Sequence, residues 1–133
     1  MNKKYIPLFI LLVLILIPLL VKLVFVDLKV LEATINVGGY LGFNIDDDKL
    51  YFGTINSGGT ARREIEVYNV KCSSCFVVIK TDGPLSKWIA TSDNKFKISM
   101  GEKRLVNITV SVPKSAVEGN YNGTVKIYFW KTI

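Results

Sequence analysis

A chain of 133 residues with 17 Lys and Arg against 11 Asp and Glu carries a formal charge of +6, yet it contains no histidine. The missing imidazole removes the commonest general base, nucleophile activator and metal ligand together, so the composition argues against an enzyme and implies no catalytic residue, cofactor or metal. Setting aside Lys3, Lys4 and Lys22 leaves 14 basic against 11 acidic residues, with only Arg62-Arg63 and Lys103-Arg104 adjacent, which speaks against a nucleic-acid partner.

From Tyr5 to Val26, 18 of 22 residues are Leu, Ile, Val or Phe. As a helix at about 1.5 Å per residue this run reaches roughly 33 Å, enough to cross a hydrocarbon core of about 30 Å. Those residues favour insertion by roughly 8 kcal/mol, whereas Lys22 opposes it by at most about 3 kcal/mol and sits close enough to the end to snorkel. Pro7 falls in the first turn and Pro18 mid-span, both tolerated in a membrane helix. A cleaved signal would have a shorter apolar region and a small-residue site, and Val24-Phe25-Val26-Asp27-Leu28 offers none. Lys3 and Lys4 precede the run, and Asp27, Lys29 and Glu32 nearly cancel after it. The expected organisation is a cytoplasmic N-terminus (1–4), a single-pass anchor in membrane lipid (5–26) and one domain outside the cell membrane (27–133).

Beyond the anchor, alternation of β-branched and aromatic residues is broken by Gly, Asn, Asp and Pro about every 8 to 12 residues, the pattern of an all-β sandwich or barrel. Strands are expected at 28–37, 40–45, 49–55, 61–69, 75–81, 86–91, 95–99, 103–112 and 121–131, with 113–119 a turn. Parity turns Ile65, Val67, Val106, Ile108, Val110, Val112, Tyr121, Val125, Ile127 and Phe129 inward, together with Phe76, Val78, Phe96 and Ile98. Trp88 and Ile89 are expected to divide between core and surface.

Leu50-Tyr51-Phe52-Gly53-Thr54-Ile55, the Gly58-Gly59 turn and Arg63 to Asn69 resemble the opening of immunoglobulin-like domains of the ASH/MSP type. Val112-Pro113 through Gly119-Asn120-Tyr121-Asn122-Gly123 to Ile127 is similar to the ending of many prokaryotic, archaeal-type immunoglobulin-like modules. Together the two stretches span about 80 residues. The resemblance implies an immunoglobulin-like sandwich, a fold that serves adhesion, scaffolding and surface layers, and it implies no particular activity.

Cys72-Ser73-Ser74-Cys75 lies between two expected strands. With no helix to lower a thiol pKa and no further ligands for zinc, a disulfide clipping a hairpin fits an extracytoplasmic domain best. Asn107-Ile108-Thr109 and Asn122-Gly123-Thr124 are acceptor tripeptides for glycosylation, with both Asn expected to face outward. Asn44-Ile45-Asp46-Asp47-Asp48 looks like the start of a Ca²⁺ loop, but Lys49 stands where the turn needs Gly and Ile55 where Glu is needed, so it reads as a solvated turn. Tyr128 and Trp130 share the outward face of the last strand, either as a contact face for a partner or as an interfacial belt. The expected function is a non-catalytic, membrane-anchored module for protein binding or cell-envelope structure. The alternative is a pilin-like or archaellum-associated subunit that assembles through its apolar helix.

Overall fold

The computed structural model describes residues 3–38 and 49–132; the strand expected at 40–45 and the acidic cluster ending at Asp48 lie outside the described residues. A 3₁₀ turn at Lys3–Tyr5 leads into helix α1, Ile6–Val24. None of its side chains is buried, and it is long and apolar enough to cross a membrane or to be a signal sequence. The last two residues of the apolar run, Phe25 and Val26, belong to the next element. Helix passes into strand with no linker between Val24 and Phe25.

Eight strands follow: β1 Phe25–Val37, β2 Lys49–Ile55, β3 Thr60–Tyr68, β4 Ser74–Asp82, β5 Ile89–Thr91, β6 Lys95–Ser99, β7 Lys103–Ser111 and β8 Gly119–Lys131. They form two sheets, β2-β1-β8-β4-β6 and β3-β7-β5, packed as a sandwich. All neighbours are antiparallel except β1 and β2. β8 is the spine of the larger sheet, pairing Phe25–Val37 on one side and Cys75–Asp82 on the other. The near end of the sandwich, where α1 joins, gathers Phe25, the 69–73 crossover, the Met100-Gly101 turn and Lys131. The far end carries the 56–59 turn, the segment from Gly83 to Trp88, and residues 112–118.

Apolar periodicity fills the space between the sheets. Val106, Ile108 and Val110 of β7 are fully buried and share one core cluster with Val125 and Ile127 of β8, as parity expects. Ile65 and Tyr121 are half-buried against the same core, as are Trp88 and Ile89. Gly58 holds φ at +83° in the Asn56–Gly59 turn, where the Gly59 amide donates to the Asn56 carbonyl at 2.8 Å. At the far end Gly123 lets the chain ends of β4 and β8 close up: a Cβ there would lie 2.9 Å from the Asp82 carbonyl oxygen.

Three expectations need correction. In β4 the buried residues are Cys75, Val77 and Ile79, while Phe76 and Val78 face outward. A run apolar at every position gives no parity signal, and here both faces of the strand are apolar. Residues Pro84–Trp88 form a 3₁₀ turn that drops Leu85 into the core, so the strand expected at 86–91 shortens to Ile89–Thr91. Pro84 fixes φ and removes a donor at the point where a strand would need one. Finally, Cys72 and Cys75 are joined by a disulfide, Cα atoms 6.0 Å apart, but not in a hairpin. β3 pairs only with β7, and β4 with β6 and β8, so the bridge clips a crossover between sheets. For so short a loop its contribution is about 2 kcal/mol.

Asn69 organises that crossover. It is 2 % exposed, and its side-chain amide donates to the carbonyls of Cys72 (2.8 Å) and Ile98 (3.2 Å). Its carbonyl oxygen accepts from the amides of Lys71 and Cys72, each at 3.2 Å. Its backbone carbonyl also takes the Gly101 amide at 2.8 Å. One buried polar side chain therefore satisfies loop groups that would otherwise be stranded.

A candidate binding cleft between two open strand edges

β2 pairs only with Glu32–Val37, the far half of β1. Among the described residues, no strand pairs with the same edge of Phe25–Leu31. Opposite it, no described strand pairs with the outer edge of β3, whose ladder partner is β7. Between these two edges lies a cleft of about 720 Å³ whose floor is Leu31, Leu50, Val67, Ile127 and Phe129. Two facing strand edges without a ladder partner among the described strands, over an apolar floor, form a template for an added strand, although the Leu28 amide already donates to Asp27 Oδ1 at 3.0 Å.

The walls are polar for a reason readable in register. β1 buries Leu31, Ala33, Ile35 and Val37 on its core face, but the same face continues to Asp27 and Lys29, which stand opposite Phe129 and Ile127. Across the cleft, Arg63 shares the core face of β3, opposite Ile108, so it is not the solvated residue its neighbour Arg62 is. Its Nε donates to the Tyr51 carbonyl at 2.9 Å and ties β3 to β2 at the cleft's upper end. At the lower end Asp27 meets Lys71 at 2.9 Å. Among the described residues, neither Lys29 nor Arg63 forms an ion pair. The cleft thus presents two cations that no described residue pairs. Inward-pointing charges of this kind also keep an open edge from pairing indiscriminately.

Hydrogen bonding to the Lys71 ammonium, opposed by some desolvation, holds the Asp27 carboxyl below its ordinary value of 3.8. A depressed folded-state pKa gives stability that is present above 3.8 and is lost as pH falls through the folded value. Both side chains are substantially exposed, so the bridge is worth only about 0.2–1 kcal/mol. Lys71→Met should lower stability by that amount near neutrality and should be indistinguishable from the parent well below pH 3.8, measured by thermal melts across pH.

The remaining candidate residues are dispersed. Tyr128 and Trp130 stack at 6.5 Å on the outer face of the larger sheet, Phe25 meets Trp130 edge-on at 5.2 Å, and Lys80 lies 5.9 Å from the Tyr128 ring. Asn122 is exposed near the start of β8. Asn107 is half-buried in mid-β7, its backbone N–H donating to Ser92 Oγ at 3.1 Å. On the surface, Asp82 pairs with Lys126 at 2.6 Å and Asp93 with Arg104 at 3.2 Å. The cleft itself escaped sequence reasoning, although Val30-Leu31 carried a signal: two adjacent apolar residues mark where the apolar side of β1 changes face.

No known family pattern, characterised protein or solved structure matches this chain. What is established is the class: a mostly-β, two-sheet sandwich behind one N-terminal apolar helix.

Proposed function

We propose that this chain is a membrane-anchored, non-catalytic module that holds a polypeptide partner outside the cell by strand addition in the β1–β3 cleft. The observation that carries this reading is the pair of open strand edges facing each other over an apolar floor. An extended segment of about six residues fits, with alternate side chains on Leu31, Val67 and Phe129 and a carboxylate reaching Lys29 or Arg63. α1 serves as the anchor, entered from the cytoplasm, and residues 27–133 lie outside.

The immunoglobulin-like assignment draws support from the last strand. Tyr121 Oη donates to the Val117 carbonyl at 2.8 Å, four residues upstream, as in the tyrosine corner that opens strand F of such sandwiches. Strand F lies between C and G, and β8 lies between β4 and β1. On this assignment β1 stands in the place of the final strand, which makes the strand fused to the anchor an integral part of the fold.

Photo-crosslinking in the protein's own membranes tests the cleft. A benzoylphenylalanine at Glu66, on the cleft rim, should capture one polypeptide through a single extended segment, whereas the same probe at Ala90, exposed on β5, should not. Lys29→Glu should lower the Glu66 yield roughly tenfold by repelling the partner's carboxylate. Equal yields at Glu66 and Ala90, or no effect of Lys29→Glu, would reject the cleft as the binding site.

A second reading, a pilin-like or archaellum-associated subunit, is favoured by one feature: α1 keeps every face free of its own domain, available to copies of itself. A mature protein beginning at Tyr5 would support it, and an intact Met1-Asn2-Lys3 peptide in the mass spectrum would exclude it.

A further inference from the structure

We infer that the near end of the sandwich rests on the bilayer surface, making a second lipid contact beside the helix. This rests on α1 being a membrane span, and it adds where the domain sits.

Continuity is the first argument. With no linker between Val24 and Phe25, the near end cannot stand far from the lipid once α1 is inserted. The second is that this end carries apolar side chains that the fold itself does not use. Val70 and Met100 are each 58 % exposed, at the tips of the crossover and of the β6–β7 turn. The two tips are held level by hydrogen bonds, Met100 amide to Ser73 carbonyl at 3.0 Å and Gly101 amide to Asn69 carbonyl at 2.8 Å. Beside them stand Trp130, packed edge-on against Phe25, and Tyr128; tryptophan and tyrosine concentrate at membrane interfaces. The third is charge. Lys97 stands on the aromatic face opposite Phe76, and Lys131 ends β8 at the same end of the domain; among the described residues neither forms an ion pair, so both are placed for lipid phosphates. Together these features act as apolar pegs, an aromatic belt and cations on one end of the domain.

The two tryptophans provide reporter and control. Trp130 sits at the near end, whereas Trp88 packs on Tyr121 at 4.6 Å, nine residues and about 30 Å up β8. The full chain would be reconstituted in phosphatidylcholine–phosphatidylglycerol vesicles containing headgroup-proximal spin-labelled lipid, as the single-tryptophan variants Trp88→Phe and Trp130→Phe. Trp130 emission should be quenched at least twofold and Trp88 left unchanged. Val70→Asp with Met100→Asp, in the Trp88→Phe background, should relieve most of that quenching. Both side chains are more than half exposed, so folding is retained, checked by circular dichroism. Equal quenching of the two tryptophans, or quenching of Trp130 indifferent to the two aspartates, would overturn the docking while leaving the anchor intact. Release of the chain by alkaline carbonate would overturn anchor and docking together.

Discussion

Asn69→Ala is expected to destabilise the domain by about 2–4 kcal/mol and to lower Tm by roughly 10–20 °C. The alanine leaves the carbonyls of Cys72 and Ile98 and the amides of Lys71 and Cys72 without their partners, all at one buried point. Each such bond contributes about 1 kcal/mol net, but an orphaned buried group costs more than the bond it lost. Asn69→Asp separates geometry from size. It keeps the acceptor but aims a carboxylate at two carbonyls, so it should be at least as harmful as alanine. Melting of the full chain in mild detergent, followed by tryptophan emission, reads both variants. A loss below about 0.5 kcal/mol for either would mean that the crossover is not organised by this residue.

Ile108→Ala should cost about 3–4 kcal/mol, because its side chain is fully buried at the middle of β7, flanked by Arg63 of β3 and Thr91 of β5. The space it vacates is walled by strands on both sides and cannot collapse. Leu105, on the opposite face of the same strand, is 56 % exposed. Leu105→Ala should stay within about 0.5 kcal/mol. The contrast between two aliphatic residues three positions apart is a direct assay of strand parity, and equal effects would place β7 in the wrong register.

How much of this was legible in the sequence depended on whether a strand has one apolar face or two. β7 reads Val106, Ile108, Val110 against Leu105, Asn107, Thr109, and its burial follows that alternation. β4 reads Cys75-Phe76-Val77-Val78-Ile79, and there an inward Phe76 and Val78 are expected while Cys75, Val77 and Ile79 are the buried set. Phe76 and Val78 are apolar because they sit beside Trp130 and Tyr128 on the outer sheet surface, a fact of pairing between distant segments. The disulfide could be read from spacing and the expected compartment, but its position in a crossover could not, because local sequence does not say which sheet a strand joins. The cleft is the same kind of object. It exists because β2 pairs with only half of β1, and its one local trace is the face change at Val30-Leu31, where charge turns inward at Asp27 and Lys29. Asn69 was visible only as the residue ending a resembling strand. Its four side-chain hydrogen bonds gave that position a physical reason.

Strand addition requires that the edges of β1 and β3 be open to a partner strand. Amide hydrogen exchange on the full chain in lipid nanodiscs, alone and after capture of the partner crosslinked at Glu66, measures this directly. In the chain alone, peptides covering 26–31 and 63–67 should exchange in two phases, the edge-facing amides fast, while 124–129, paired on both sides, stays protected. In the complex, the fast phase of 26–31 or of 63–67 should become slow. Uniform protection of both edges in the isolated chain, unchanged by the partner, would contradict strand addition in this cleft.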